Sequence, residues 1–465
     1  MVVIGGGAAG LVVASGAAQL GCRVTLIEKQ NRLGGDCLHY GCVPSKSLLH
    51  VAKVAALLRR APEFGLPAHA APIDFAKVNA YVAQVIAGIQ EHDDPQRFRG
   101  YGCEVLFGPA RFLDPHSVQV GGQIIRARRF VIATGSRPAV PPIEGLAEAG
   151  GLTNESLFSL SRLPRRLIVL GAGPVGIELA QACARLGSAV TVVGRASHIL
   201  PQEDPELTEE LRGLLFAEGL GFHTSASARR VLRVNGVCRV SLSNGQELEG
   251  DEILVATGRC PNVEDLNLEA AGVDHGPRGI RVDARLRTSM RHIYACGDVC
   301  GPYAFTHMAE YQAGVVLSNA VLRLPRTVDY RLVPRVTFTD PELAHVGLTE
   351  WEARERGLAP VVLRYPFRSI DRALTAAEGV GQVKLIARKG KILGASILGP
   401  QAGELLHELV LAMRLGARLR DIATTIHAYP TLAQVHRRAV NSYYGPKLFS
   451  PAMRTLVRWL NRLLP

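Results

Sequence analysis

Short apolar runs that stop at glycine recur along this chain and set its expected architecture. Val2-Val3-Ile4 runs into Gly5, Phe130 to Ala133 into Thr134-Gly135, Leu167 to Leu170 into Gly171, and Ile253 to Ala256 into Thr257-Gly258. Runs this short, apolar at every position and closed by a turn residue, predict strands buried on both faces, as in a parallel sheet covered by helices. Between them the period changes. Ser45 to Leu58 carries Leu48, Leu49, Val51, Val54 and Leu57 at helical spacing and predicts a long helix. Beyond about Leu332 strands are expected at Val361 to Tyr365, Val383 to Ala387 and Ile392 to Ile397, with a helix near Gly403 to Leu415. Pro451 to Leu464 closes the chain as a basic amphipathic helix, with Met453, Leu456, Val457, Leu460, Leu463 and Leu464 on one face and Arg454, Arg458 and Arg462 elsewhere. It is expected either to dock on the chain or across a dimer, or to meet a membrane surface peripherally. The fold class is α/β, with an α+β C-terminal part.

Two of these units are the same unit used twice. Gly5-x-Gly7-x-x-Gly10 and Gly171-x-Gly173-x-x-Gly176 each follow a strand, open a helix and lead to a second β-run, Arg23 to Ile27 and Ala189 to Val193. Glycines at this spacing allow a tight turn and let a pyrophosphate approach a helix N-terminus, so two Rossmann-like dinucleotide sites are expected. The residue after the second run separates them. Glu28 stands eighteen residues past Gly10, where a carboxylate accepts hydrogen bonds from adenosine ribose hydroxyls, as suits FAD. Gly194 stands eighteen past Gly176 and is followed by Arg195. With no acid to repel a 2′-phosphate and an arginine to pair with it, NADPH is expected over NADH there, unless Arg195 is simply solvated.

Gly34 to Leu49 reads GGDCLHYGCVPSKSLL, with Cys37 and Cys42 at or near a helix start, where the dipole and unpaired N–H groups lower a thiol pKa. The stretch resembles the active-site signature of the pyridine nucleotide–disulfide oxidoreductases, the family of glutathione reductase, dihydrolipoamide dehydrogenase and mercuric reductase. The resemblance reaches to about Val440. It implies a homodimeric FAD enzyme that passes electrons from NAD(P)H through the flavin to a Cys37–Cys42 disulfide, Cys42 lying against the flavin and Cys37 meeting the substrate. It also implies an ion pair of Lys46 and Glu178 near the flavin, FAD contacts at Thr134, Gly135, Asp298 and Thr306, and a nicotinamide-site turn at Gly258. Residues 1–143 and 263–331 are then the FAD domain, 144–262 the NAD(P) domain, 332–445 the dimerisation domain and 446–465 the terminal helix.

The loop that the family lends across its dimer departs from the common pattern. His427-Ala-Tyr-Pro-Thr-Leu-Ala-Gln434 has Tyr429 and Gln434 where dithiol–disulfide reductases carry a histidine and a glutamate. A phenol stays protonated at neutral pH and donates better than it accepts. His427 is a candidate substitute base. Mercuric reductases share the tyrosine, yet no cysteine follows Cys300 in this sequence, and an N-terminal metal-carrying domain is not expected from it. The acceptor is therefore left open between a disulfide or thiol-bound electrophile, a soft metal ion or quinone, and a protein or membrane partner served by an electron-delivery subunit.

Composition narrows the rest. At 465 residues, with 47% hydrophobic and 20% charged residues, about three domains are expected. Nine cysteines are too scattered for a secreted disulfide framework. Cys296, in an apolar strand, is expected to be buried, and no metal-ligating set is assigned. The net charge of +12 is dispersed and not interleaved with aromatic residues, which argues against nucleic acid. The chain opens directly on a strand, so a cytoplasmic location is expected.

Overall fold

Val2–Ile4 (β1) leads through the Gly5 turn into the helix Ala8–Gln19 (α1) and returns along Val24–Glu28 (β2). A short helix, Gly35–His39 (α2), and a long one, Cys42–Arg60 (α3), follow; the long helix begins three residues before the predicted start. Cys103–Phe107 (β3) and Phe130–Ile132 (β4) continue the unit. The second repeat is Arg166–Leu170 (β5), Pro174–Arg185 (α4), Ala189–Val193 (β6) and Glu252–Val255 (β7). Ile293–Ala295 (β8) and Thr306–Ala320 (α5) then return to the first sheet. The computed structural model describes residues 1–67 and 72–463, which fall into two compact units, Met1–Val193 with Ala226–Asp329, and Gly194–Ser225 with the chain from Tyr330 onward.

In the first unit, β8-β4-β1-β2-β3 is a wholly parallel five-stranded sheet, registered Val3 to Leu26 and Val3 to Val131. Strands β8, β4 and β1 are buried at every position, whereas the edge strand β3 exposes Glu104 and Phe107. On one side α1 packs against α5 so closely that a Cβ on Gly16 would stand 2.7 Å from Leu317 Cδ1. In the second repeat β5 runs parallel between β6 and β7. Cys296 is fully buried, as its apolar surroundings predict.

The second unit contains Arg335–Thr337 (β9), Glu342–Gly347 (β10), Val361–Pro366 (β11), Gln382–Arg388 (β12) and Lys391–Gly399 (β13). They form an antiparallel sheet in the order β9-β10-β13-β12-β11. Ala402–Leu415 (α6) and Gln434–Leu448 (α7) cover it through a core that includes Phe367, Leu385, Ile397 and Leu406. Lys384 on β12 is buried among three carboxylates, Asp204, Glu206 and Glu350, at 2.8–2.9 Å. The last helix, Pro451–Leu463 (α8), has every residue exposed. Docking on the chain's own body, one of the expectations for it, is not what the structure shows.

Candidate active site

The two glycine turns are built alike. Gly5 and Gly171 sit at φ +110° and +121°, and a side chain on either would strike the carbonyl of Ala133 or Ala256, the residue that follows the neighbouring strand. A Cβ on Gly10 would run into the Gly5 carbonyl, and one on Gly176 into the Gly171 carbonyl, so helix and strand approach as only glycine permits. Glu28 is buried at the end of β2; its carboxylate accepts from the Gly6 amide at 2.6 Å and the Gln30 amide at 2.8 Å. Thr134 and Asn262 tie the first closing turn together, Thr134 Oγ1 donating to the Asn262 carbonyl at 2.7 Å and Asn262 Nδ2 to the Thr134 carbonyl at 2.9 Å. Gly135 and Gly258 face open space. Arg195 is exposed, two residues past the end of β6.

Cys37 lies on α2 and Cys42 is the first residue of α3, so the second thiol sits on the helix N-terminus. Neither is bridged. Cys42 Sγ lies 3.3 Å from Thr306 Oγ1 at the start of α5. Hydrogen bonding from Cys37 and then from Thr306, with the charge of Lys46, outweighs burial and pulls the Cys42 thiol down to about 6. The same shared proton, with burial, drives Cys37 well above the usual thiol range. One thiolate and one firmly held thiol is the arrangement at neutral pH. Lys46, one helical turn beyond Cys42, pairs with the buried Glu178 of α4 at 2.7 Å. By contrast, burial pushes Cys183 and Cys300 up to about 12.

A second charged cluster joins the dithiol to Asp298. Arg259 reaches Asp36, the residue before Cys37, at 2.9 Å, and donates to Ser136 Oγ at 2.7 Å; Ser136 in turn donates to Asp298 at 2.6 Å. Burial lifts the Asp298 carboxyl, opposed by Ser136 and Arg259. Asn154 adds a bond to the Tyr40 carbonyl at 2.9 Å. Sequence reasoning did not single out Asp36, Arg259 or Asn154 as site residues. The repeated Ala-Thr-Gly turns with their trailing Arg137 and Arg259 were the available signal.

In the second unit the loop after α6 leaves Tyr429 68% exposed. A bond to the Asp371 carboxylate pushes its phenol up, further from acting as a base. His427 is turned away from solvent, its side chain 5% exposed, with Nε2 3.0 Å from Glu408 Oε1 and Nδ1 3.1 Å from the Thr425 carbonyl. Both ring nitrogens face acceptors of the same chain. Neither nitrogen points freely into solvent, so His427 would have to leave one of these partners to meet a substrate.

Residues 1–313 match the family described as pyridine nucleotide-disulphide oxidoreductase, and residues 333–440 match its dimerisation domain. The chain belongs to the pyridine nucleotide–disulphide oxidoreductase family. It is 35% identical over 440 residues to a mercuric reductase of Lysinibacillus sphaericus, covering 93% of this chain and 80% of that one. To a dihydrolipoyl dehydrogenase of Geobacillus stearothermophilus it is 36% identical over 453 residues, covering 95% and 96%. Among solved structures, the HOCl-induced flavoprotein disulfide reductase RclA from Escherichia coli superposes with a TM-score of 0.87 at 29% identity, covering 95% of this chain and 99% of that one. The same reductase has also been solved as a Cu(II) complex.

This family member is thus an FAD-dependent disulfide oxidoreductase using a pyridine nucleotide, and its dimerisation domain supports a homodimer. The residues present fit both cofactors. Each glycine turn excludes a Cβ on its inner side, and the glycines of both Ala-Thr-Gly turns leave open space on their outer side. Among the described residues no helix is long and apolar enough to cross a membrane.

Proposed function

We propose that this enzyme uses NADPH to reduce a thiol-bound electrophile, a soft metal ion in the first place, and handles small free disulfides poorly. When bound, FAD accepts hydride from the nicotinamide and supplies electron pairs to the sulfurs. The protein's own residues do the rest. Thr306 and Lys46 hold Cys42 as a thiolate, Glu178 fixes Lys46, and Cys37 keeps its proton until a base or a metal removes it. Thiolates favour soft metal ions, and metal coordination displaces a thiol proton without any protein base. The observation that carries this reading is the loop. Tyr429 is a donor, and His427 is committed to Glu408 and Thr425, so nothing there serves a departing thiolate as an acid–base pair would. The mercuric reductase relative and the Cu(II) complex of RclA support the metal side of the reading.

NADPH is preferred because Gly194-Arg195 replaces the carboxylate that Glu28 supplies in the first repeat. Tyr429 and the 92% exposed Ile426 lie on a loop that a second copy is expected to cover. The terminal helix α8 is read as a peripheral contact to an anionic membrane. Its apolar face is uncovered, and residues 446–463 carry Lys447, Arg454, Arg458 and Arg462 with no acidic residue.

The test is NADPH oxidation by FAD-loaded enzyme with Hg(II) presented in excess low-molecular-weight thiol, beside oxidised glutathione and lipoamide. Metal-dependent turnover well above disulfide turnover is expected. Lipoamide or glutathione reduction at the rate of a dedicated reductase would overturn the proposal.

A further inference from the structure

In a parallel sheet the cofactor sits beyond the C-terminal ends of the strands. At the other end of the first sheet this protein has gathered arginines. Arg128 and Arg129 immediately precede β4, and Arg291 and His292 immediately precede its neighbour β8. The two segments are bonded there, Phe130 N donating to the His292 carbonyl at 3.1 Å. The turn leading to β8 contributes Arg285 and Arg287, the last turn of α5 contributes Asn319, and the chain after it contributes Arg323. Together they line a cleft of about 510 Å³ floored by the buried Tyr294.

The charge in this cleft is one-sided. Six arginines line it, and among the described residues no carboxylate does. Asp283 pairs with Arg287 at 2.7 Å, which leaves five guanidinium charges. Arg129 donates to the Ala320 carbonyl, which orients the side chain without neutralising it. Like charges held within one small concavity repel, and low-dielectric walls focus their potential outwards. At physiological salt the screening length is about 8 Å, so the whole set acts together on a ligand inside the cleft. Planar guanidinium forks match phosphate oxygens two at a time. A concavity of this volume suits a small molecule.

We propose that this cleft is an anion site, separate from both dinucleotide sites, that takes a compact oligophosphate, either inorganic or the triphosphate of a nucleotide. The proposal stands independently of the acceptor that the dithiol serves. Calorimetric titration tests it, with FAD-loaded protein saturated with NADP⁺, so that the nucleotide site is filled, at 0.15 M salt. Inorganic tripolyphosphate, ATP and sulfate are the titrants. Saturable binding of tripolyphosphate is expected at one site per chain, at least 100-fold tighter than sulfate. ATP binding equally well would assign the triphosphate as the recognised group, and ATP binding much more tightly would assign a nucleotide.

The triple variant Arg128→Gln, Arg291→Gln, Arg323→Gln should weaken tripolyphosphate at least tenfold while NADPH oxidation is unchanged. Its melting temperature without ligand should equal or exceed that of the parent, because the variant removes repulsion. Equal binding by parent and variant would place the anion elsewhere on this basic protein, and absence of binding to the parent, or sulfate binding as tightly, would overturn the proposal.

Discussion

The separation of two thiols is the main chemical event at the residue scale. Cys42 ionises above about pH 6, whereas Cys37 is held far above the usual range, because a single proton lies between them and Thr306 and Lys46 favour its leaving Cys42. The ultraviolet thiolate absorbance of the dithiol form should therefore appear as pH rises through about 6. Thr306→Val and Lys46→Met should each move the midpoint upward, and Cys42→Ser should abolish the transition. Retention of the same midpoint in Cys42→Ser would contradict the assignment. The proposed preference for NADPH rests on Arg195. Arg195→Ala should lower kcat/KM for NADPH with little change for NADH, by an amount equivalent to about 1.5–3 kcal/mol for a charge-assisted bond. An unchanged cofactor ratio would remove Arg195 from the 2′-phosphate site.

At the scale of elements, what was legible in the sequence was whatever the backbone demands locally. Gly5, Gly10, Gly171 and Gly176 are forced by carbonyls that a Cβ would strike, and Cys42 falls on the first turn of α3 because Gly41 precedes it and an apolar helical period follows. The Lys46–Glu178 pair was legible only through resemblance, since 132 residues separate its members. Asp36 with Arg259, and His427 with Glu408, were not legible, because no periodicity or turn chemistry links such partners before the fold brings them together. The buried Lys384 cluster is of the same kind. Lys384→Ala leaves the buried Asp204 without its ammonium partner, while Glu206 and Glu350 keep Arg364, and should cost about 3–5 kcal/mol in denaturant unfolding. The Arg364 bond, ahead of Lys384, holds Glu206 at about 2, below its ordinary 4.5. That contribution is complete above about pH 4.5 and is lost as pH falls through 2, so acid should weaken this unit in that window. For α8, Trp459 fluorescence should shift to the blue with phosphatidylglycerol vesicles at low salt and not with phosphatidylcholine vesicles; no shift with either would exclude the membrane contact.

For the whole molecule, two repeated dinucleotide units accompany one dithiol, and the proposed function turns on a loop of the dimerisation domain. In that loop the acid–base pair of the disulfide reductases is replaced by Tyr429 and Gln434, and the neighbouring His427 is locked to its own chain. General acid–base catalysis contributes typically about 10²–10⁴-fold. The most direct test is therefore steady-state NADPH oxidation with lipoamide and with thiol-complexed Hg(II), compared between the parent and the double variant Tyr429→His, Gln434→Glu. The account predicts that the variant gains at least tenfold on lipoamide and gains nothing on the metal. An unchanged lipoamide rate, or a parent already as fast on lipoamide as on Hg(II), would contradict it.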